Sequence, residues 1–527
     1  MVGDSDARSA GRARVWFWSG CCFLLLIQFL LLLYYARVPV IDDAFIVFRY
    51  AENLLRGDGL VFNLGERVEG YTCFLWVILL CIPGALGVDL VVGSQVMGGA
   101  FAASTLVCLA FFPPADPRRP VHGRLIAPAV LAVSAPVALW SVHGLETAMF
   151  MALLTVAICA DTRERRETGT ISAWSTVFYA LAALTRPEGA LMFVASCCFS
   201  VLTKPTCLVS PALWRRVLRF AVFLVPFLVW RRLYYGDWLP NTFYVKVGLS
   251  LASVGRGLSY VLDFFFDPSG ILWIALLPSL LAARRDARVA FLGWMAASSI
   301  LIVVFEGGDL FPGWRFLVPI CPVLCLLVQE GVVEVVALLR ARRVHGRVLA
   351  GAAAAALIAG ALHVVYGFRE ANREKIGAEE FTTTMMSVGL CLNKYLPPGT
   401  RIALNPVGAV PYYSGLPALD MLGLTNRHIA HATIARMGKG LPGHEKGDGA
   451  YVLDQRPEVI LFANVAVSPS GPVRLETVRL PATLRSEFEI ARDPRVTKMY
   501  ALDQLPLDDG RYLVFLRRRD FVLARRP

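Results

Sequence analysis

Two aspartates, Asp42 and Asp43, stand side by side just beyond a long apolar run. The stretch they open, Ile41 to Thr72, also carries Arg49, Glu66, Glu69 and Tyr71, in too little chain for a domain. Short polar segments recur at the ends of later apolar runs. These are "HGLET" with His143 and Glu146, "TRPEGA" with Arg186 and Glu188, "LPNTFYVK" with Asn241 and Lys246, and "EGGDLFPGWRF" with Asp309 and Arg315. A carboxylate can take a proton from an attacking hydroxyl. Arginine and lysine hold phosphate through charge-assisted bonds. One acid at the reacting carbon, with Arg186, Lys246 and Arg315 on a leaving phosphate, is equipment for group transfer. The remaining polar residues (Arg49, Glu66, Glu69, Tyr71, His143, Glu146, Asn241 and Asp309) are candidate contacts to the transferred group or its acceptor. Singly, each is better explained by a structural role than by a catalytic one. Jointly they point to one polar pocket, because ionisable groups near a bilayer tend to face a cavity and pair.

The elements that must hold these residues follow from composition. The 527 residues are 56% hydrophobic and only 17% charged, against about 25% charged in an ordinary soluble domain. Mean hydropathy is +0.57. This is the composition of a polytopic α-helical membrane protein. The formal net charge of +12 lies in short clusters between apolar runs and forms no basic face, so nucleic acid is not a partner. The twelve cysteines fall mostly in apolar runs. With no CxxC and no Cys/His spacing for zinc, neither a disulfide framework nor a divalent metal is indicated, and no cofactor is assigned.

Eleven spans are expected, near 15–36, 91–111, 125–142, 147–160, 171–184, 189–203, 216–235, 271–283, 289–305, 316–339 and 348–367. They place six basic clusters on one side: Arg8 to Arg14, Arg118 to Arg124, Arg163 to Arg166, Lys204 to Arg216, Arg284 to Arg288, and Arg340 to Arg347. The positive-inside rule makes that side cytoplasmic. The N-terminus is then cytoplasmic, as an uncleaved first span, and a first outer loop covers 37–90. Within it, Phe74 to Leu86 is too short for a span and reads as an interfacial helix. "AFIVFRYAENLL" is amphipathic at helical spacing, so one of the two aspartates is expected to cap it while the other faces a cleft. The chain divides into a membrane domain, 1–367, and an extracytoplasmic α/β domain, 368–527. In the latter, "RIAL", "PALDMLGL", "PEVILFA" and "RYLVFLR" alternate with turn signals. No P-loop or dinucleotide fingerprint is present.

The stretch "DDAFIVFRYAENLLRGDGLVFNLGERVEGYT", followed in order by "HGLET", "TRPEG", "PNTFYVK" and "GGDLFPGWRFLVP", resembles the GT-C membrane glycosyltransferases. The likeness is to the branch of terminal arabinofuranosyltransferases. "ALNPVGAVPYYSGLPALDMLGLTN" with "GHEK", which contributes His444 as a further contact, resembles the outer domain of such proteins. The resemblance implies a GT-C-like fold and a polyprenyl-phosphate sugar donor. It also implies an envelope glycan or glycolipid acceptor and an active site on the periplasmic face of a bacterial inner membrane. The key acid of the first outer loop maps onto Asp42 or Asp43. Asn405 departs from the pattern, in which an acid often stands there. A lipid-linked saccharide transporter is the alternative, but polar residues crowd the outer ends of the spans rather than lining a path across. A thiol introduced at Ser468 is therefore expected to label from outside intact cells. Labelling only after the membrane is breached would overturn this topology.

Overall fold

The computed structural model describes residues 2–112, 121–167, 173–246, 250–342, 346–434, 440–462, 465, 467–468, 471–476 and 478–524. Arg118, Arg119 and Arg343, and the side chains of Arg8 and Arg12, lie outside the described residues. In chain order the helices begin with α1 (Val2–Tyr35), α2 (Asp42–Leu55), α3 (Phe74–Ala85) and α4 (Leu90–Phe111). Next come α5 (Ile126–Ala132), α6 (Ala135–Val142), α7 (Thr147–Glu167), α8 (Ala173–Thr185), α9 (Glu188–Thr203) and α10 (Pro211–Tyr235). Then follow α11 (Asn241–Lys246), α12 (Leu251–Phe266), α13 (Ser279–Ala283), α14 (Ala287–Glu306), α15 (Cys321–Ala341) and α16 (Gly346–Tyr395). Short helices α17 (Ala409–Ser414), α18 (Arg427–His431), α19 (Gly449–Asp454), α20 (Arg485–Arg492) and α21 (Arg495–Met499) punctuate the C-terminal region.

Among the described residues, five helical segments are long and apolar enough to cross a membrane: Ala13–Tyr35, α4, α14, Val318–Ala341 and α16. Two bent pairs raise the number to seven: Gly123–Ala132 with α6, at 58°, and α12 with Pro268–Ala283, at 86°. The expectation of eleven also counted α7 to α10. Of these, α8 and α9 are short, while α7 and α10 carry several charges. Residues 236–270 are not loop throughout, since α12 fills 251–266. It stops where Asp267 accepts a bond from the Ser269 amide ahead of Pro268, because a residue preceding proline is driven out of helical geometry. Nor does the helix expected at 348–367 end there. α16 continues through the charged stretch 369–380 for 50 residues, about 75 Å at 1.5 Å per residue.

The chain separates into two units. The first comprises Met1–Val38, Ser94–Phe227 and Val254–Lys375; the second comprises Pro39–Gly93, Leu228–Ser253 and Ile376–Pro527. In the first, α7, α9 and α10 are locked by a buried charge cluster. Asp161 lies 2.8 Å from Arg216 and 2.9 Å from Arg165, and Ser196 donates to the same carboxylate. Arg165 and Arg216, expected to act only as topology signals, are thus also interior ties.

The second unit is built on a sheet of order β2-β1-β3-β6-β4, with β5 also paired to β6. The strands are β1 (Ile402–Leu404), β2 (Ala418–Asp420), β3 (Val459–Ile460), β4 (Val467–Ser468), β5 (Tyr500–Pro506) and β6 (Tyr512–Arg518). β1 runs parallel to β2 and β3, and β6 is antiparallel to its neighbours. Ala403, Met421, Ile429, Val452, Ile460 and Phe462 form the centre of its core. Ser468 is buried in β4, so a topology reporter belongs at the exposed Glu476 instead.

Residues 39–93 belong to the same unit as this sheet, and hydrogen bonds explain why. Arg49, 8% exposed, donates to the carbonyls of Phe62 (2.8 Å), Pro411 (2.5 Å) and Leu416 (2.9 Å). Asn63 exchanges two bonds with the backbone of Ala418. Gly408 must lack a side chain, since a Cβ there would stand 2.0 Å from the Asp42 carbonyl oxygen and 2.5 Å from its Oδ2. Gly408→Ala is expected to destabilise the protein by about 1–3 kcal/mol, read as earlier thermal unfolding. Gly377→Ala, where a Cβ meets nothing within 4 Å, should be neutral or mildly stabilising because alanine favours the helix.

Candidate functional site

The two aspartates part company in the structure. Both lie in the first turn of α2, whose N-cap is Ile41 with no side-chain cap bond, so neither caps α2 as expected. Consecutive helical residues point about 100° apart. Asp42 turns inward and is 6% exposed. Its Oδ1 accepts from the Ala409 amide (2.8 Å) and its Oδ2 from the Gly408 amide (3.2 Å). Its carboxylate thus tethers the start of α17. Asp43 is partly exposed. Among the described residues it has no hydrogen-bond or ion-pair partner.

Most other candidates in the second unit serve as internal ties. Arg49 spends its guanidinium on the three carbonyls named above and pairs with neither aspartate. Glu69, 2% exposed, forms an ion pair with Arg231 at 2.8 and 3.1 Å. Tyr71 and Tyr235 share a hydroxyl bond of 2.9 Å. The Asn241 side-chain amide donates to the Gly423 and Leu424 carbonyls at 2.6 and 3.0 Å, and its backbone amide donates to Glu69. Asn405 donates to Glu487, which places it inside the fold. Glu66 is exposed and accepts from Asn63 at 3.1 Å. His444 Nδ1 lies 2.8 Å from the Pro442 carbonyl. Lys246 is exposed at the end of α11 and has no ion-pair partner among the described residues. Its aliphatic stem lies beside Gly443, where a Cβ would stand 3.4 Å from Lys246 Cγ.

The first unit gathers the remaining candidates around Phe316. Arg186 lies 2.5 Å from Glu188 and 3.5 Å from Glu146. Arg315 binds Asp309 through two nitrogens, at 2.7 and 3.1 Å. Both guanidiniums lie over the Phe316 ring, at 5.0 and 5.2 Å from its centroid. Glu306 stands in the same wall as Arg186 and Glu188. A cavity of about 10 Å3 is lined by Arg186, Glu188, Glu306, Ser299, Phe150 and Phe316, with room for about one water. His143 is fully buried beside Trp140. Neither ring nitrogen has a hydrogen-bond partner among the described residues. Burial, and then the charge of Arg315, push its pKa down to about 3. Four carboxylates thus accompany two guanidiniums, so an added phosphate would compete with acids already in place.

Arg231, Tyr235 and Glu306 were missed as candidates. Arg231 stands inside an apolar run, and an arginine there is a signal in its own right. Glu306 closes a span just before two glycines, where a lone acid could have been flagged. Among the described residues no three His, Cys, Asp or Glu side chains group as metal ligands.

A family model described as a domain of unknown function, DUF8728, matches residues 373–515. The terminal beta-(1->2)-arabinofuranosyltransferase of Mycobacterium tuberculosis is 28% identical to this chain. That match covers 56% of the chain and 52% of the relative. The enzyme of the same name from Corynebacterium glutamicum is 27% identical over 55% of the chain and 48% of its own length. The chain spans about half the length of these curated relatives. Crystal structures of ArnT from Cupriavidus metallidurans share the fold nearly end to end. The apo form has a TM-score of 0.57 and 13% identity, covering 96% of this chain and 98% of that one. The form bound to undecaprenyl phosphate has a TM-score of 0.55 and 12% identity. The chain resembles the GT-C membrane glycosyltransferases. The sequence likeness to the arabinofuranosyltransferases agrees with the resemblance read from the motifs.

Burial raises the Asp42 pKa, and the neighbouring Asp43 adds to the rise. The Ala409 and Gly408 amides oppose it, and the balance is about 7. The folded state therefore holds a proton that the unfolded state, with a carboxyl near 3.9, releases. That share of stability is full below about pH 4 and is lost as pH rises through 7. Thermal unfolding of the wild type is expected to shift downward between pH 5 and 8. In Asp42→Asn, which has no proton to lose, the profile should be flatter. Parallel profiles would mean that Asp42 is ionised throughout.

Proposed function

We propose that this protein is a membrane glycosyltransferase moving a sugar from a polyprenyl-phosphate donor to an envelope glycan or glycolipid. Transfer takes place at the outer face of a bacterial inner membrane. The observation that carries the mechanism is the division of labour between the aspartates. Asp42 is buried and committed to the 408–409 amides. Asp43, one residue on, keeps its carboxylate partly exposed and unpartnered among the described residues. A base must reach the proton that it abstracts, so Asp43 is assigned that role. The acceptor hydroxyl gives its proton to Asp43 as its oxygen bonds the anomeric carbon, and the bond to the donor phosphate breaks. Attack from the opposite face would invert that centre. The phosphate leaves with the electron pair.

Lys246 is the cation assigned to the leaving phosphate, because it is exposed and has no acid to give up. Arg186 and Arg315 could serve only by exchanging carboxylate partners, which makes them secondary. Glu66 and His444, both on the surface of the second unit, are the remaining sugar or acceptor contacts. Arabinose is one candidate sugar, since the curated relatives transfer arabinofuranose by name. Undecaprenyl phosphate bound to the ArnT relative supports a lipid-phosphate carrier. These relatives do not favour a transporter. The orientation, with the N-terminus cytoplasmic and the C-terminal domain periplasmic, rests on the basic clusters.

Asp43→Asn is expected to abolish transfer from a polyprenyl-phosphate sugar while donor binding and thermal unfolding stay near wild type. Asparagine keeps the shape but cannot act as a base near neutral pH. Full activity of Asp43→Asn, with activity lost in Asp42→Asn at unchanged stability, would transfer the role to Asp42. Lys246→Ala should weaken donor binding by about tenfold to a hundredfold, the value of about 1.5–3 kcal/mol for a hydrogen bond to a charged group. Unchanged donor affinity would remove Lys246 from the site.

A further inference from the structure

The outer end of α10 carries cations that the transfer reading does not use. Leu218, Val222, Val225, Val229 and Leu233 are all exposed. Their spacing of four, three, four and four residues puts them on one face of the helix. α10 coincides with the span expected at 216–235, and in such a span this face meets lipid tails. The stripe ends at the turn of Gly236. There Trp238 is 56% exposed and Leu239 is exposed beside it, and tryptophan at the end of a lipid-facing stripe marks headgroup depth.

Two guanidiniums converge on this turn. Arg232 Nη1 donates to the Gly236 carbonyl at 2.7 Å, and Arg232 has no carboxylate partner among the described residues. Arg427 Nη2 lies 3.0 Å from Asp237 Oδ2. The Nη1 atoms of Arg427 and Arg232 lie 3.3 and 4.0 Å from the point where a Cβ on Gly236 would stand. Gly236 has a φ of +83°, which other residues rarely adopt, so the space between the guanidiniums stays clear. His431 Nε2, 3.8 Å away, shares Asp237 with Arg427. Arg67 lies 4.7 Å over the Tyr234 ring, and it too has no carboxylate partner among the described residues. Of these three arginines, only Arg427 is paired with a carboxylate among the described residues.

We propose that Arg232 and Arg427 bind the phosphate of an anionic bilayer phospholipid whose tails lie along the α10 stripe, with Trp238 at headgroup level. The site shares no residue with the assigned base or donor-phosphate ligand. It stands whether or not the transfer reading holds.

The test uses the full chain in phosphatidylcholine nanodiscs doped with phosphatidylglycerol, with retained lipids counted by native mass spectrometry. Wild type should retain phosphatidylglycerol in preference to phosphatidylcholine. Arg232→Gln and Arg427→Gln should each lower that preference about fivefold, the value of about 1 kcal/mol per basic residue at a charged surface. Arg232→Lys should keep part of it, and Lys246→Ala should leave it unchanged. Arg232→Gln breaks no ion pair, so unaltered thermal unfolding in that variant separates lost binding from lost fold. Undiminished preference in the double variant would overturn the proposal. So would displacement of phosphatidylglycerol by undecaprenyl phosphate in wild type, because the cations would then belong to the donor.

Discussion

Burying the first turn of α2 against the 408–416 segment is the constraint on which the second unit depends. Asp42 gives its carboxylate to two amides there, and seven residues later Arg49 takes two carbonyls from the same segment. One helix face thus supplies both an acceptor and a donor to a turn whose own backbone would otherwise be unsatisfied. Leaving such buried groups unmet costs about 1–3 kcal/mol each. The arrangement requires Gly408, because backbone and carboxylate approach closer there than any Cβ permits. It also fixes the rotation of α2, and this rotation turns Asp43 outward.

The two units treat charge differently. In the first, Arg186 and Arg315 are outnumbered by Glu146, Glu188, Glu306 and Asp309. Such clusters rigidify helix ends, but they leave little attraction for an incoming anion. In the second, the interior pair Glu69–Arg231 is closed, while Lys246, Arg67 and Arg232 remain at the surface. An anionic ligand is drawn to surplus cations rather than to arginines as such. On that ground the phosphate-binding assignments move toward the second unit.

Part of this was legible in the sequence. The runs "RIAL", "PALD", "PEVI" and "RYLVFLR" became strands because apolar, β-branched stretches bounded by turn residues have few other uses. The helix after Asp43 and the short helix at 74–85 were equally plain. β5 was not, since "YALDQLP" lacks that composition and takes its pairing from β6. The partners of Arg49 and Asp42 could not be read either. All but the Phe62 carbonyl are backbone groups more than 360 residues away, and a carbonyl or amide has no side-chain signature. Adjacent acids on a helix must face different ways, so the sequence could show that their roles differ. Which one faces inward depended on the rotation of the helix, and hence on a turn far along the chain.

The 408–416 turn also bears on how the chain can be dissected. The segment matched as a domain of unknown function carries most of the sheet, yet the groups that neutralise its most demanding turn are encoded far upstream. Cut free near residue 376, it would lose the carboxylate and guanidinium that complete it. For this turn the missing piece is continuous, residues 41–63, and would have to return as a peptide ligand, while Asn241 ties the 423–424 carbonyls from a second upstream segment. The C-terminal region is thus a receptor whose cognate ligand the same gene supplies, several hundred residues earlier in translation.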